Sequence, residues 1–210
     1  MSKQRAKKIK LILFDVDGVL TDGKIWIFPA PAGVEQGLAN SPNQTLLARS
    51  AQQTGQGGFG LHSATLIEAK GFHAHDGTAI SLARLCGIKT GIITKRISET
   101  VALRARDLKI DHVYQGIQDK AGAFRQILEK DGITADEAAF VGDDVIDLPA
   151  MRKCGLAIAV KNARPEVNAE AHWITPHAGG DGAARDAVEY ILKAQGKWKK
   201  VVEDYIAERS

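Results

Sequence analysis

Cysteine is scarce, with only Cys86 and Cys154 in 210 residues. The two lie far apart and form no CxxC pair, so there is no disulfide framework and a reducing compartment is expected. No apolar run approaches the roughly 20 residues needed to cross a bilayer. The first residues also lack the apolar stretch of a secretory leader. The cytoplasm is therefore the expected location, with no membrane partner. Charge of one sign is lacking too: 28 Lys and Arg face 25 Asp and Glu, a net +3. The short basic stretches 3–10 and 197–200 read as solvated ends, and no nucleic-acid partner is expected. Proline is sparse, and three of the six prolines fall within 29–61, a stretch rich in Gly, Ala, Ser, Asn and Gln. That composition marks a long loop, of a kind that stays disordered, covers a pocket or extends an oligomer.

What remains alternates between strand-like and helix-like segments. Strands are predicted over 11–14, 24–28, 64–72, 89–94, 112–114, 139–141, 156–160 and 173–174. Residues 24–72 read as a hairpin with an enlarged tip at 29–61. Helices are predicted over 76–85, capped by Asp76 and ended by Gly87; after a Ser98 cap; over 120–130, stopped near Gly132; over 182–195; and over 198–207. Thr134 and Glu137 have capping-box spacing, but the next strand follows so closely that only a turn fits. This βαβα order predicts one α/β domain over 1–210, a parallel sheet covered by helices. Ligands of such sheets bind beyond the carboxyl ends of the strands.

The residues with chemistry to offer sit at those ends. The run LILFDVDGVLTDG places Asp15 and Asp17 directly after an apolar strand, where unpaired charge is costly. Thr94, Lys95 and Arg96 follow another strand, and Asp143, Asp144 and Asp147 a third. Lys120 opens a helix. Each signal alone is ordinary: a DxD pair or a GDD loop is common, Thr94 could simply turn the chain, and Lys120 could be solvated. Their ordered recurrence after successive strands is what points to a site. Clustered carboxylates need a counter-charge, and Mg²⁺ takes few protein carboxylates while leaving room for phosphate oxygens. Such an arrangement suits phosphoryl transfer, with Asp15 as nucleophile, Asp17 as acid and then base, Thr94 donating to a phosphate oxygen, and Lys120 bridging the phosphoryl group and Asp15.

These residues resemble the four motifs of the haloacid dehalogenase-like phosphohydrolases: FDVDGVLTDG, GIIT, the lysine of YQGIQDK, and GDDVID. The resemblance implies a Rossmann-like core, an aspartyl-phosphate intermediate and Mg²⁺ held by Asp15, the Asp17 main-chain carbonyl and Asp143. Asp144 and Asp147 would support the site, with Asp147 orienting metal-bound water or Lys120. The chain further resembles the capless branch that acts on 3-deoxy-D-manno-octulosonate 8-phosphate, through DVDGVLTDGKIW, KGFHAHDGTAI, IITKR and GGDGAARDAVEYIL. That branch implies a cytoplasmic homotetramer in lipopolysaccharide precursor synthesis. A hairpin flap and neighbouring subunits would stand in for a cap, and Asp76, Lys95 and Arg96 would contact the sugar acid. This chain departs from the branch at Lys95 (usually Gly), His75 (usually Arg) and Asp181 (usually Arg). Two other readings stay open: a phosphatase for a nine-carbon nonulosonate 9-phosphate, and a noncatalytic oligomeric module that binds sugar phosphates. His73 and His75, two residues apart, are a minor candidate metal pair.

Overall fold

The computed structural model describes residues 2–30, 59–60 and 66–207. In chain order its elements are α1 (Ser2–Ala6), β1 (Leu11–Phe14), β2 (Trp26–Pro29), β3 (Phe59–Gly60), β4 (Leu66–Ala69), α2 (Ala74–Leu85), β5 (Lys89–Ile93), β6 (Arg96–Ile97) and α3 (Glu99–Asp107). There follow β7 (His112–Tyr114), α4 (Lys120–Asp131), β8 (Ala138–Gly142), α5 (Leu148–Met151), β9 (Leu156–Ala159), α6 (Pro165–Glu170), β10 (Trp173–Ile174), α7 (Ala183–Ala194) and α8 (Trp198–Ala207).

Six strands form one parallel sheet in the order β10-β9-β8-β1-β5-β7. Its central strand β1 is buried at all four positions, and so is β8 along its whole length. Strands covered on both faces read as continuous apolar runs, which is why LILF and AAFVG were legible as strands. The helices supply the covers. On α7, Ala183, Ala184, Ala187, Val188, Ile191 and Leu192 face inward at the three- and four-residue spacing of a helix stripe. On α4, Ala123, Phe124, Ile127 and Leu128 do the same, and Gly132 ends that helix in the left-handed conformation at φ 63°. Trp198 opens α8 beneath the cationic groups of Arg185 and Lys193, 4.8 and 5.4 Å from the ring centroid.

The hairpin is present: β2 and β4 pair antiparallel from Trp26↔Ala69 to Pro29↔Leu66, overlapping the predicted 24–28 and falling within 64–72, with Pro29 in the strand rather than the loop. Between them, most of the loop at 29–61 lies outside the described residues. One stretch of it is described, β3, which pairs with β6.

Two details differ from the sequence reading, and a third agrees with it. The helix expected to begin at Asp76 begins at Ala74 with His73 at its N-cap, so Asp76 lies in the first turn. The Asp76 carboxylate instead accepts the main-chain N–H of Arg185 at 2.8 Å, in the first turn of α7. A tertiary contact claimed the carboxylate that local spacing assigned to its own helix. The short helices α1, α5 and α6 were not anticipated, since four to six residues carry too little periodicity to register. The capping box of Thr134 and Glu137 does form, around a single 3₁₀ turn. Both cysteines are free, and among the described residues no helix is long and apolar enough to cross a membrane.

Candidate active site

Register assembles the site. β1 lies between β5 and β8, with Phe14 opposite Ile92 on one side and Val141 on the other. The chain therefore leaves all three strands at the same edge, carrying Asp15, Thr94 and Asp143 out together. This is also where the strand order reverses, with β5 on one side of β1 and β8 on the other, the position at which parallel α/β sheets open a crevice.

Asp15 is 3% exposed and Lys120 2%, and the Lys120 Nζ lies 2.9 Å from Asp15 Oδ1 and 2.6 Å from Asp147 Oδ1. Lys120 reaches inward because it opens α4 directly after Asp119, whose carboxylate caps the helix through the N–H of Gly122 at 2.8 Å. The other oxygen of Asp147 accepts the main-chain N–H groups of Asp143 and Asp144, at 3.0 and 3.3 Å. Asp144 accepts the N–H of Val145 at 2.7 Å, tightening the same turn. Asp147 is thus a brace for both Lys120 and the Asp143 loop. Thr94 is buried at 3% exposure, its N–H donating to the carbonyl of Tyr114 at 2.9 Å.

Two glycines allow the loops to close this tightly. Gly18 has φ +93°, and a Cβ there would lie 2.2 Å from the Asp143 carboxylate. A Cβ on Gly179 would lie 1.7 Å from the carbonyl oxygen of Gly18, so the late GGDGA run backs the loop that carries Asp15 and Asp17.

Carboxylate oxygens of Asp15, Asp143 and Asp147 lie within 4.8 Å of one another. Burial pushes the Asp15 carboxyl up to about 6, with Lys120 pulling it down and Asp147 pushing it up. Burial, then Asp15, Asp147 and Asp144, push Asp143 up to about 8. For Lys120, burial pulls the ammonium down, but the two facing carboxylates outweigh it and the net shift is upward. One lysine does not balance three acids. Asp143 Oδ1 is buried with no hydrogen-bond partner, while both oxygens of Asp147 already accept donors. Asp15 and Asp143 are therefore the carboxylates with capacity left for a hard divalent cation, and the donor set fits Mg²⁺.

A second group faces this one from the hairpin. Lys70 follows β4 with its side chain fully buried, and its ammonium makes a short ion pair with Asp17 Oδ1. Arg96 Nε lies 3.8 Å from Asp17 Oδ2. Glu68, two residues before Lys70, accepts from Arg96 at 2.8 Å and from the Ser98 hydroxyl at 2.7 Å, with Lys70 3.8 Å away. Burial pushes the Glu68 carboxyl up, but the bonds from Ser98 and Arg96 outweigh it and the net shift is downward. The sequence reading missed Lys70 and Glu68. Their signal was two charged residues at i and i+2 on one side of a short strand, just before GFHAHDG.

Other candidates divide. Lys95 sits in the turn between Thr94 and Arg96, partly buried. Asp76 serves α7, as described, with its other oxygen buried and unpartnered. Asp181 is exposed. His73 and His75 meet edge to face at 4.8 Å between centroids, but no third ligand joins them in a metal-binding cluster among the described residues. Phe72 packs on the core beneath Arg104, whereas Trp26 and Phe28 remain 56% and 45% exposed.

Residues 91–185 match the haloacid dehalogenase-like hydrolase family. The chain is 36% identical over 193 residues to the 3-deoxy-D-manno-octulosonate 8-phosphate phosphatase of Escherichia coli K12, covering 92% of this chain and 84% of that protein. Its fold superposes on the Moraxella catarrhalis phosphatase of the same name, solved with magnesium, phosphate and KDO. That match has a TM-score of 0.77 at 33% identity, over 97% of each chain. The Yersinia pestis enzyme gives 0.75 at 32% identity, over 94% of this chain and 88% of the other.

Proposed function

The chain belongs to the haloacid dehalogenase-like hydrolases, in the family of 3-deoxy-D-manno-octulosonate 8-phosphate phosphatases, and from that premise we propose that it hydrolyses this sugar-acid phosphate to the free acid and phosphate. The observation that carries the chemistry is the buried Asp15–Lys120–Asp147 centre with Asp143 beside it. Its carboxylates lack only the counter-charge that a divalent cation brings.

Asp15 Oδ attacks phosphorus, forming an acyl phosphate as the bond to the sugar oxygen breaks. Lys120 holds the attacking carboxylate in place and offers charge to the transferring oxygens. Asp17, on the hairpin side of the same loop, gives its proton to the departing sugar oxygen. It then takes a proton from the water that splits the acyl phosphate and frees Asp15. Thr94 donates to a phosphoryl oxygen. Arg96 and Lys95 supply cationic contacts for the sugar carboxylate. Asp76 holds the Arg185 N–H with one oxygen, and its second, unpartnered oxygen is the one proposed to meet the sugar acid. Asp15, Asp143 and the Asp17 carbonyl would hold Mg²⁺, which would supply positive charge beside the phosphoryl oxygens.

We propose further that 1–210 acts as one catalytic domain that assembles as a homotetramer. Trp26, Ile27, Phe28 and Leu66 are 37–56% exposed on a two-stranded ribbon. Such a ribbon is marginal alone, and so large an apolar surface calls for cover from other copies. Phosphate release from a panel of sugar-acid phosphates, with Mg²⁺, tests the substrate. Selective turnover of the 8-phosphate supports the reading, and preference for a nine-carbon 9-phosphate replaces it.

A further inference from the structure

Lys70 lies on the hairpin, 53 residues from Asp17 in sequence, and its side chain is fully buried. A buried ammonium is costly unless closely paired, and this one is paired to the carboxylate that serves as acid and base. The pairing is asymmetric. Lys70 takes Asp17 Oδ1, while Oδ2 points toward Arg96, 3.8 Å away. Glu68 closes the arrangement from behind: one oxygen holds Arg96, and the other holds Ser98 and faces Lys70. The Thr100 hydroxyl fastens the Glu68 main chain at 3.2 Å. The hairpin is thereby tied to both the Asp17 loop and the Arg96 turn.

We propose that Lys70, braced by Glu68, is a positioning residue: it fixes the Asp17 carboxylate so that Oδ2 meets the leaving oxygen. This rests on the phosphatase reading above and deepens it. Lys70 keeps its proton throughout, and Asp17 carries on Oδ2 the proton it took from water in the preceding turnover. The proton that reaches the sugar oxygen comes from Asp17 as the bond from that oxygen to phosphorus breaks and the bond from Asp15 forms. Loss of Lys70 leaves Asp17 free to rotate on a loop where it is already partly exposed, and the leaving alkoxide must then depart without a placed proton.

The test uses two esters. A sugar oxygen leaves poorly as an anion and needs the proton, whereas p-nitrophenolate leaves readily without one. In Lys70→Met, kcat/KM for the sugar phosphate falls by about 30-fold or more, while kcat/KM for p-nitrophenyl phosphate stays within about threefold. Lys70→Arg, which retains a cation for Oδ1, recovers most of the loss. Glu68→Gln shifts the two esters in the same unequal way, by less. Mg²⁺ affinity measured by calorimetry stays within about threefold, against the roughly 10- to 100-fold loss that follows from disturbing a metal's supporting residues. Equal losses on both esters, no loss on either, or a tenfold fall in Mg²⁺ affinity would each overturn the assignment. The sugar phosphate compared is whichever one the native protein cleaves. A change of preferred sugar therefore corrects the substrate without touching the test of Lys70.

Discussion

On the sheet side of the site, Asp15, Lys120 and Asp147 are 3%, 2% and 0% exposed and gather at the carboxyl edge of a sheet whose central strands are buried on both faces. On the hairpin side, Lys70 and Glu68 hold Asp17 and Arg96 from a ribbon whose outer strand exposes Trp26, Ile27 and Phe28. The first wall is positioned by the core of its own chain, through register and close backbone approach. The second is tied to the first by ion pairs and otherwise faces outward. Nucleophile and acid stand two residues apart in sequence, yet they depend on different kinds of structure. The sheet wall needs only folding, and the hairpin wall needs folding and cover. Damage to the two should look different.

The largest effect is expected on the sheet wall. Lys120→Met leaves Asp15 and Asp147 facing each other in a buried site, destabilising the fold by about 3–5 kcal/mol. It also lowers kcat by about 10²–10³-fold. Chemical denaturation and phosphate release measure the two. A loss of activity with unchanged stability would break the claim that this wall is positioned by burial.

Asp143→Asn comes next. It removes the carboxylate whose Oδ1 has no partner, so Mg²⁺ affinity by calorimetry falls by more than the roughly 10- to 100-fold lost with a supporting residue, while the fold is retained. Unchanged affinity would move the cation elsewhere.

A pH effect sharpens the same point. Asp15 and Asp143 are raised from the ordinary 3.8 to about 6 and about 8. The fold without cation thus binds protons more tightly than the unfolded chain. Its stability from these groups is present below about pH 4 and is lost as pH rises through 6 and 8. Mg²⁺ binds the deprotonated carboxylates, so the rise in Tm on adding Mg²⁺ is small near pH 5 and grows through that window. A Mg²⁺-induced rise that is flat or shrinks with pH would contradict the placement.

The smallest effect on the folded core is expected from Trp26→Lys. It charges the exposed ribbon and dissociates the assembly, seen by light scattering, while the Tm of the separated subunit shifts by only a few degrees. An assembly that survives would place the subunit contacts off the hairpin.

Legibility followed the same division. The sheet wall could be read because buried parallel strands are apolar runs, and because Asp15, Thr94, Lys120 and Asp143 each sit at a strand end or helix start. Asp147 was visible as the last acid of GDDVID, but its role as brace depended on two main-chain amides that no pattern displays. The hairpin strands were legible, and their pairing held. The Lys70–Asp17 pair was not, since nothing local in IEAK announces a partner 53 residues away. Asp76 misled for the same reason in reverse: a good cap by spacing, it was taken by Arg185 across the molecule.

The central claim is that the buried Asp15 carries the phosphoryl group. The direct measurement is phosphate release with Mg²⁺ from 3-deoxy-D-manno-octulosonate 8-phosphate by the native chain and by Asp15→Asn. Turnover by the native protein and a loss of at least about 10⁴-fold in the variant is the expected result. Comparable turnover by both would contradict the account, because the reaction would then not pass through Asp15.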